Sequence, residues 1–189
     1  MARSEHRIAQ QSLTTSEAEM TQLNINAETL LEEICEKLQN KAIIHQSPKM
    51  IGIRTGGEWV AQRLHQKLAL EGTLGVIDIS FYRDDFSKIG LNPTTKPSDI
   101  PWEVDDQHII LVDDVLYTGR TIRAALNEIF DYGRPASVTL VTLLNRQGCR
   151  ELPFQADIIG MSLECHKTIK VTGPEPLKVT ILDQEEEVA

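Results

Sequence analysis

Apolar positions along the chain recur with two different periods. After Asn26, "AETLLEEICEKLQNK" places Leu30, Leu31, Ile34 and Leu38 three to four residues apart. That spacing predicts an amphipathic helix with Asn26 as its N-cap candidate. "MIGIR" (Met50–Arg54) is a short strand, "TGG" (Thr55–Gly57) a turn, and the residues after it a helix with Val60, Leu64 and Leu68 on one face. "VIDISFY" (Val76–Tyr82) reads as a further strand. "IILV" (Ile109–Val112) fits a strand buried on both faces, as central parallel strands are. "TIRAALNEIFDYG" (Thr121–Gly133) predicts a helix. "SVTLVTLLN" (Ser137–Asn145) and "ADIIG" predict strands, with extended pieces near Thr168–Thr172 and Val179–Leu182. Strands alternating with helices predict an α/β domain around a central, mainly parallel sheet flanked by helices.

Two stretches fall outside this pattern. Residues 1–24 are polar and aperiodic, which predicts a flexible arm ahead of a domain over 25–183, with an acidic tail over 184–189. "RDDFSKIGLNPTTKPSDIPWEVDDQH" (Arg83–His108) is polar, holds three prolines and sustains no period. A stretch of that length inside a domain is a lid, a binding loop or disorder. With 189 residues, 41% hydrophobic and 25% charged, the chain suits one well-filled globular domain. No apolar run approaches the roughly 20 residues that span a bilayer, and residues 1–22 lack a signal-peptide core, so a cytoplasmic location is expected. The net charge of −9 argues against broad affinity for nucleic acid. Cys35, Cys149 and Cys165 match no zinc spacing or disulfide framework and read as packing or surface thiols.

The chemistry concentrates in "IILVDDVLYTGRT" (Ile109–Thr121). Ligands of parallel sheets bind beyond the carboxyl ends of strands, where Asp113 and Asp114 are expected to fall. Two adjacent carboxylates are costly to bury unless a cation or several donors compensate them. Thr118, Gly119, Arg120 and Thr121 then lead into a helix, whose first turn offers free amides and the positive end of its dipole. Acids for a diol or Mg²⁺ beside a cradle for a monophosphate suit a ribose 5-phosphate. Neither a nucleoside-triphosphate P-loop nor a dinucleotide fingerprint is present.

This stretch resembles the phosphoribosyl pyrophosphate (PRPP) motif of the type I phosphoribosyltransferases. Together with "IGIRTGG", "DISFYRDDFS", "DVLYTGRTIRAALNEIFDYGRPASV" and "RELPFQADIIG", it resembles the pyrimidine-operon attenuation regulators that are also uracil phosphoribosyltransferases, over about residues 26–182. The resemblance implies the type I phosphoribosyltransferase fold with a flexible hood loop. It also implies uracil and PRPP as substrates, UMP and pyrophosphate as products, Mg²⁺ as cofactor, and a homodimer or higher homo-oligomer. Asp113 and Asp114 would hold the ribose hydroxyls and, through water, the metal. Thr118, Gly119, Arg120 and Thr121 would cradle the 5-phosphate, with a surface position in the turn the other reading of Arg120. Arg54, Thr55, Gly56 and Gly57 would form the pyrophosphate loop, where many relatives carry arginine in place of Gly56. The hood would bring Tyr82, Arg83, Asp84 and Asp85 over the substrate, with Arg83 on pyrophosphate. Asn145, Arg146 and the backbone around Ile158–Gly160 would hold the base. Tyr117 falls near the position where the purine enzymes of the superfamily place a catalytic acid.

Relatives also bind messenger RNA through a basic face. Here Cys149, Gln155 and Met161 stand where many relatives have histidine, arginine and lysine, and Glu32 and Glu36 fall at positions of the first helix that are often threonine and histidine. Arg134 and Arg150 remain. These departures predict weakened RNA affinity. An RNA-binding regulator that senses UMP, a nucleotide sensor that partners another protein, and an enzyme for xanthine or guanine are the competing readings.

Overall fold

The computed structural model describes residues 22–79, 97–164 and 168–182. The chain runs β1 (Gln22–Ile25), α1 (Ala27–Gln39), a 3-10 turn (Ala42–Gln46), β2 (Lys49–Ile53), α2 (Gly56–Lys67), β3 (Gly75–Ile77), β4 (His108–Leu116), α3 (Arg120–Tyr132), β5 (Ser137–Gln147), β6 (Ile158–Glu164), β7 (Thr168–Thr172) and β8 (Lys178–Leu182). Five strands form a wholly parallel sheet in the order β3-β2-β4-β5-β6. The other three form an antiparallel sheet, β1-β8-β7.

Local chemistry explains the helices. Asn26 caps α1, its Oδ1 accepting from the amides of Glu28 (3.0 Å) and Thr29 (3.4 Å). The predicted stripe Leu30, Leu31, Ile34 and Leu38 is buried. On α2, Val60, Ala61 and Leu64 are buried, while Leu68 follows as the C-cap. Alternation along β4 then separates two cores. Ile110 and Val112 pack with α1, α2 and the antiparallel sheet, whereas Ile109 and Leu111 pack with Ile122, Ala125 and Ile129 of α3. The result is helices on both faces of the sheet, in agreement with the predicted α/β class.

Several boundaries differ from expectation. β4 does not stop at Val112: its ladder with β5 continues through Asp113↔Thr142, Val115↔Leu144 and Leu116↔Asn145, so both acids lie within the strand. β3 is short, because the amide of Asp78 is taken by Ser98 Oγ (2.8 Å) and Val76 bridges to Asp99. β6 starts at Ile158, since Asp157 uses its carboxylate and its own amide on Leu140 (2.8 Å each), and it runs on to Glu164. Gln22–Asn24, assigned to the arm from sequence, pair with β8. The arm over residues 1–21, the acidic tail and Cys165 lie outside the described residues. Cys35 is a buried free thiol. Cys149, read as a plain thiol, is disulfide-bonded; pairing depends on proximity in space, which spacing along the chain does not report.

Candidate active site

The chain leaves β2 for β3 on one side and returns to β4 on the other, so the strand order reverses between β2 and β4. Such a switch point opens a crevice at the carboxyl ends of the two strands. Thr55–Gly57, after β2, and Asp113–Asp114, late in β4, meet there. Asp113 is 3% exposed and its Oδ1 accepts from the Asp114 amide at 3.0 Å. A Cβ on Gly56 would fall inside the Asp114 carboxylate and 3.0 Å from its Cβ. A Cβ on Gly57 would lie 2.7 Å from the Val112 carbonyl oxygen and 2.9 Å from the Asp113 Cα. Only glycines allow this approach. It sets both carboxylates against the first turn of α2, whose dipole and amides favour negative charge. The acid pair is thus compensated in part by a helix N-terminus.

The cradle lies between β4 and α3. Gly119 caps α3 with φ +94°, a left-handed conformation that favours glycine, and a Cβ there would also sit 3.1 Å from Phe154 Cδ2. Thr118 Oγ1 accepts from the Arg120 amide (3.3 Å), and its carbonyl accepts from the amides of Glu151 and Leu152 (3.0 Å each). Thr121 follows in the first turn of α3. The Arg120 side chain is half exposed and pairs with Glu151 at 2.6–2.8 Å.

The remaining candidates divide. Arg54 pairs with Glu58 (3.2 Å) and donates to the Pro97 carbonyl (3.1 Å), and the Arg54–Thr55 peptide is cis. Tyr82, Arg83, Asp84 and Asp85 lie outside the described residues. Asn145 is 8% exposed, at the level of the cradle, and Arg146 stacks on the Tyr117 ring at 4.0 Å. Ile158, which begins β6, pairs with Val141 and turns its side chain into the core, so only the backbone of this segment is available to the base. Beside Asn145 on β6 is Ser162, whose Oγ accepts from Asn145 Nδ2 at 3.3 Å. Sequence reasoning missed Ser162, because strand register carries no local signal there. It also left Arg150 as a remnant of a basic face. In the structure the Arg150 guanidinium points inward, donating to the Tyr117 carbonyl and to Asn145 Oδ1 (2.6 Å), and burial lowers its pKa.

Among the described residues no group of three or more His, Cys, Asp or Glu side chains is placed to hold a metal. No described helix is long and apolar enough to cross a membrane.

The phosphoribosyl transferase domain family matches residues 19–179. The chain is 52% identical over 165 residues to the Bifunctional protein PyrR of Nitrosococcus oceani, covering 84% of this chain and 93% of that one. It is 59% identical over 132 residues to the Bifunctional protein PyrR of Pseudomonas putida strain W619, covering 69% and 76%. A solved hypoxanthine phosphoribosyltransferase of Trypanosoma cruzi superposes with a TM-score of 0.65 at 17% identity, covering 90% of this chain and 98% of that one. That likeness is one of fold.

Proposed function

We propose that this chain, which belongs to the phosphoribosyl transferase domain family and within it to the PyrR proteins, makes UMP and pyrophosphate from uracil and PRPP. The observation that carries the reading is the seating of the Gly56–Gly57 loop directly on Asp113 and Asp114, in the strand that leads into the Thr118–Thr121 cradle. Uracil N1 bonds to the anomeric carbon as the bond to pyrophosphate breaks, and the N1 proton leaves to solvent. The α3 amides and the Thr118 and Thr121 hydroxyls bind the 5-phosphate. Asp113 and Asp114 accept hydrogen bonds from the ribose hydroxyls and so orient the anomeric carbon. The Gly56–Gly57 amides face the pyrophosphate.

Two carboxylates, without a third acidic or histidine ligand among the described residues, suit Mg²⁺, which usually takes one or two carboxylates together with substrate phosphates. Asp113 and Asp114 would hold it, and its charge would stabilise the leaving pyrophosphate. Asn145, with Arg146 and Tyr117 beside it, forms the candidate wall for the base.

The RNA-regulator reading has less support. Arg150 is turned inward, Met161 packs against the core, and Lys37 is used on the Ile159 carbonyl (2.8 Å). Arg134 remains exposed. The test is formation of UMP from labelled uracil and PRPP with Mg²⁺, with Asp113→Asn/Asp114→Asn as control. Activity lost in the variant supports the enzyme. No activity, with UMP still bound, refutes it and favours the regulator.

A further inference from the structure

We propose that Arg150 is a positioning residue that fixes the phosphate cradle and the candidate base pocket in one shared geometry. The inference rests on the phosphoribosyltransferase reading and adds a residue that acts through its neighbours.

The Thr118 hydroxyl and the Gly119 carbonyl tie the cradle turn to the start of α3, accepting from the amides of Arg120 (3.3 Å) and Arg123 (3.0 Å). β4 ends at Leu116 and α3 begins at Arg120, so Tyr117, Thr118 and Gly119 lie outside both. The carbonyls of Tyr117 and Thr118 are instead satisfied from one segment after β5. Arg150 Nη1 donates to Tyr117, and the amides of Glu151 and Leu152 donate to Thr118 at 3.0 Å each. The β4 side of the turn is thereby held by Arg150–Leu152. Backbone amides supply the Thr118 contacts and survive most substitutions. The Tyr117 contact depends on a side chain.

The same guanidinium fixes Asn145. Arg150 Nη2 donates to Asn145 Oδ1 at 2.6 Å, and Asn145 Nδ2 donates to Ser162 Oγ at 3.3 Å. With acceptor and donor both engaged and the residue 8% exposed, the amide has one orientation. Arg146, stacked on the Tyr117 ring at 4.0 Å, rests on the same turn. A shift of Arg150 therefore moves a cradle residue and two base-pocket residues together. Arginine suits this task because its planar fork presents five donors in fixed directions, whereas a lysine ammonium is a point donor.

The experiment uses the full chain, its Arg150→Gln and Arg150→Lys variants, and Asn145→Ala. Steady-state kinetics with PRPP, uracil and Mg²⁺ are combined with calorimetric PRPP binding and thermal unfolding. Arg150→Gln is expected to raise KM for PRPP and for uracil together, each by about 10-fold or more, the scale of a lost hydrogen bond to a charged group. Arg150→Lys is expected to resemble it, since charge without the fork does not restore both contacts. Asn145→Ala, which leaves the cradle residues intact, is expected to weaken PRPP binding several-fold. A lowered unfolding temperature and kcat with both KM values unchanged would mark a merely structural residue and overturn the proposal. So would a rise in one KM alone, or wild-type PRPP affinity in Asn145→Ala. Wild-type protein that binds PRPP but makes no UMP removes the uracil assignment alone. Wild-type protein that fails to bind PRPP with Mg²⁺ removes both.

Discussion

Gly56 and Gly57 are adjacent, yet alanine at each should fail in a different way. At Gly56 the added methyl meets a side chain, the Asp114 carboxylate, with the Asp114 Cβ 3.0 Å away. A side chain can rotate aside. Gly56 is also the first residue of α2, where alanine limits the unfolded chain by about 0.4–1 kcal/mol. Gly56→Ala should therefore fold with near-normal stability while Asp114 leaves its place. A displacement of about 1 Å in a catalytic group costs on the order of 10²-fold, and that is the expected loss in kcat/KM for PRPP. At Gly57 the methyl meets backbone, the Val112 oxygen at 2.7 Å and the Asp113 Cα at 2.9 Å, in the middle of the sheet. Overpacking of that kind costs about 1–3 kcal/mol or more, which lowers the unfolding temperature by roughly 2–12 °C for a domain of this size. Thermal unfolding and initial-rate kinetics on both variants separate the two effects. A Gly56→Ala protein with wild-type kcat/KM, or a Gly57→Ala protein with wild-type stability, would refute the close seating of the loop on the acid pair.

Two further outcomes follow from individual side chains. Glu151→Gln removes the carboxylate partner of Arg120; because that pair is half exposed it should alter stability by less than about 1 kcal/mol. A phosphate competing with Glu151 for the guanidinium should then bind roughly 2- to 5-fold tighter, and calorimetry showing weaker PRPP binding would contradict this. Burial lowers the pKa of His65, so the folded state holds a neutral imidazole where the unfolded chain still binds a proton. Stability through His65 is complete above the unfolded value of about 6.5 and declines as pH falls below it. The urea midpoint of the native protein should accordingly drop more between pH 7.5 and 5.5 than that of His65→Gln, and parallel slopes would count against the assignment.

The parts of the fold legible in sequence are those whose signal is local. The stripe of α1 and its Asn26 cap, the apolar runs of β2 and β4, and the Thr118–Thr121 turn each specify themselves within a dozen residues. β1 was not legible, because four residues (Gln22–Ile25) become a strand only by pairing with β8 at the far end of the chain. The continuation of β4 through Asp113 and Asp114 was hidden for a related reason. Charged residues argue for a strand end, but the ladder to β5 and the α2 N-terminus hold them in place. Ser162 was missed, and the core-facing direction of the Ile158 side chain was not legible, because both depend on the β5–β6 register. Arg150 was visible as a basic residue, but the direction of its side chain was not.

The same geometry gives meaning to Gly56, the position where the family resemblance leads one to expect arginine. Any side chain at this position expels the Asp114 carboxylate from where it now lies. An arginine at this position would displace the Asp114 carboxylate in the same way and would add a guanidinium near the proposed pyrophosphate loop. In this chain position 56 supplies no cation, and the Asp114 carboxylate lies against it. Both features make the loop less positive, so on the proposed reading neutralisation of pyrophosphate would fall more heavily on Mg²⁺ and on the α2 amides. The Gly56 series extends accordingly. Arginine and alanine both displace Asp114, but only arginine returns a positive charge, so Gly56→Arg should keep PRPP affinity better than Gly56→Ala and need less Mg²⁺ for half-maximal rate. Equal defects in the two variants, measured across a Mg²⁺ titration, would show that the charge of the loop does not govern pyrophosphate binding.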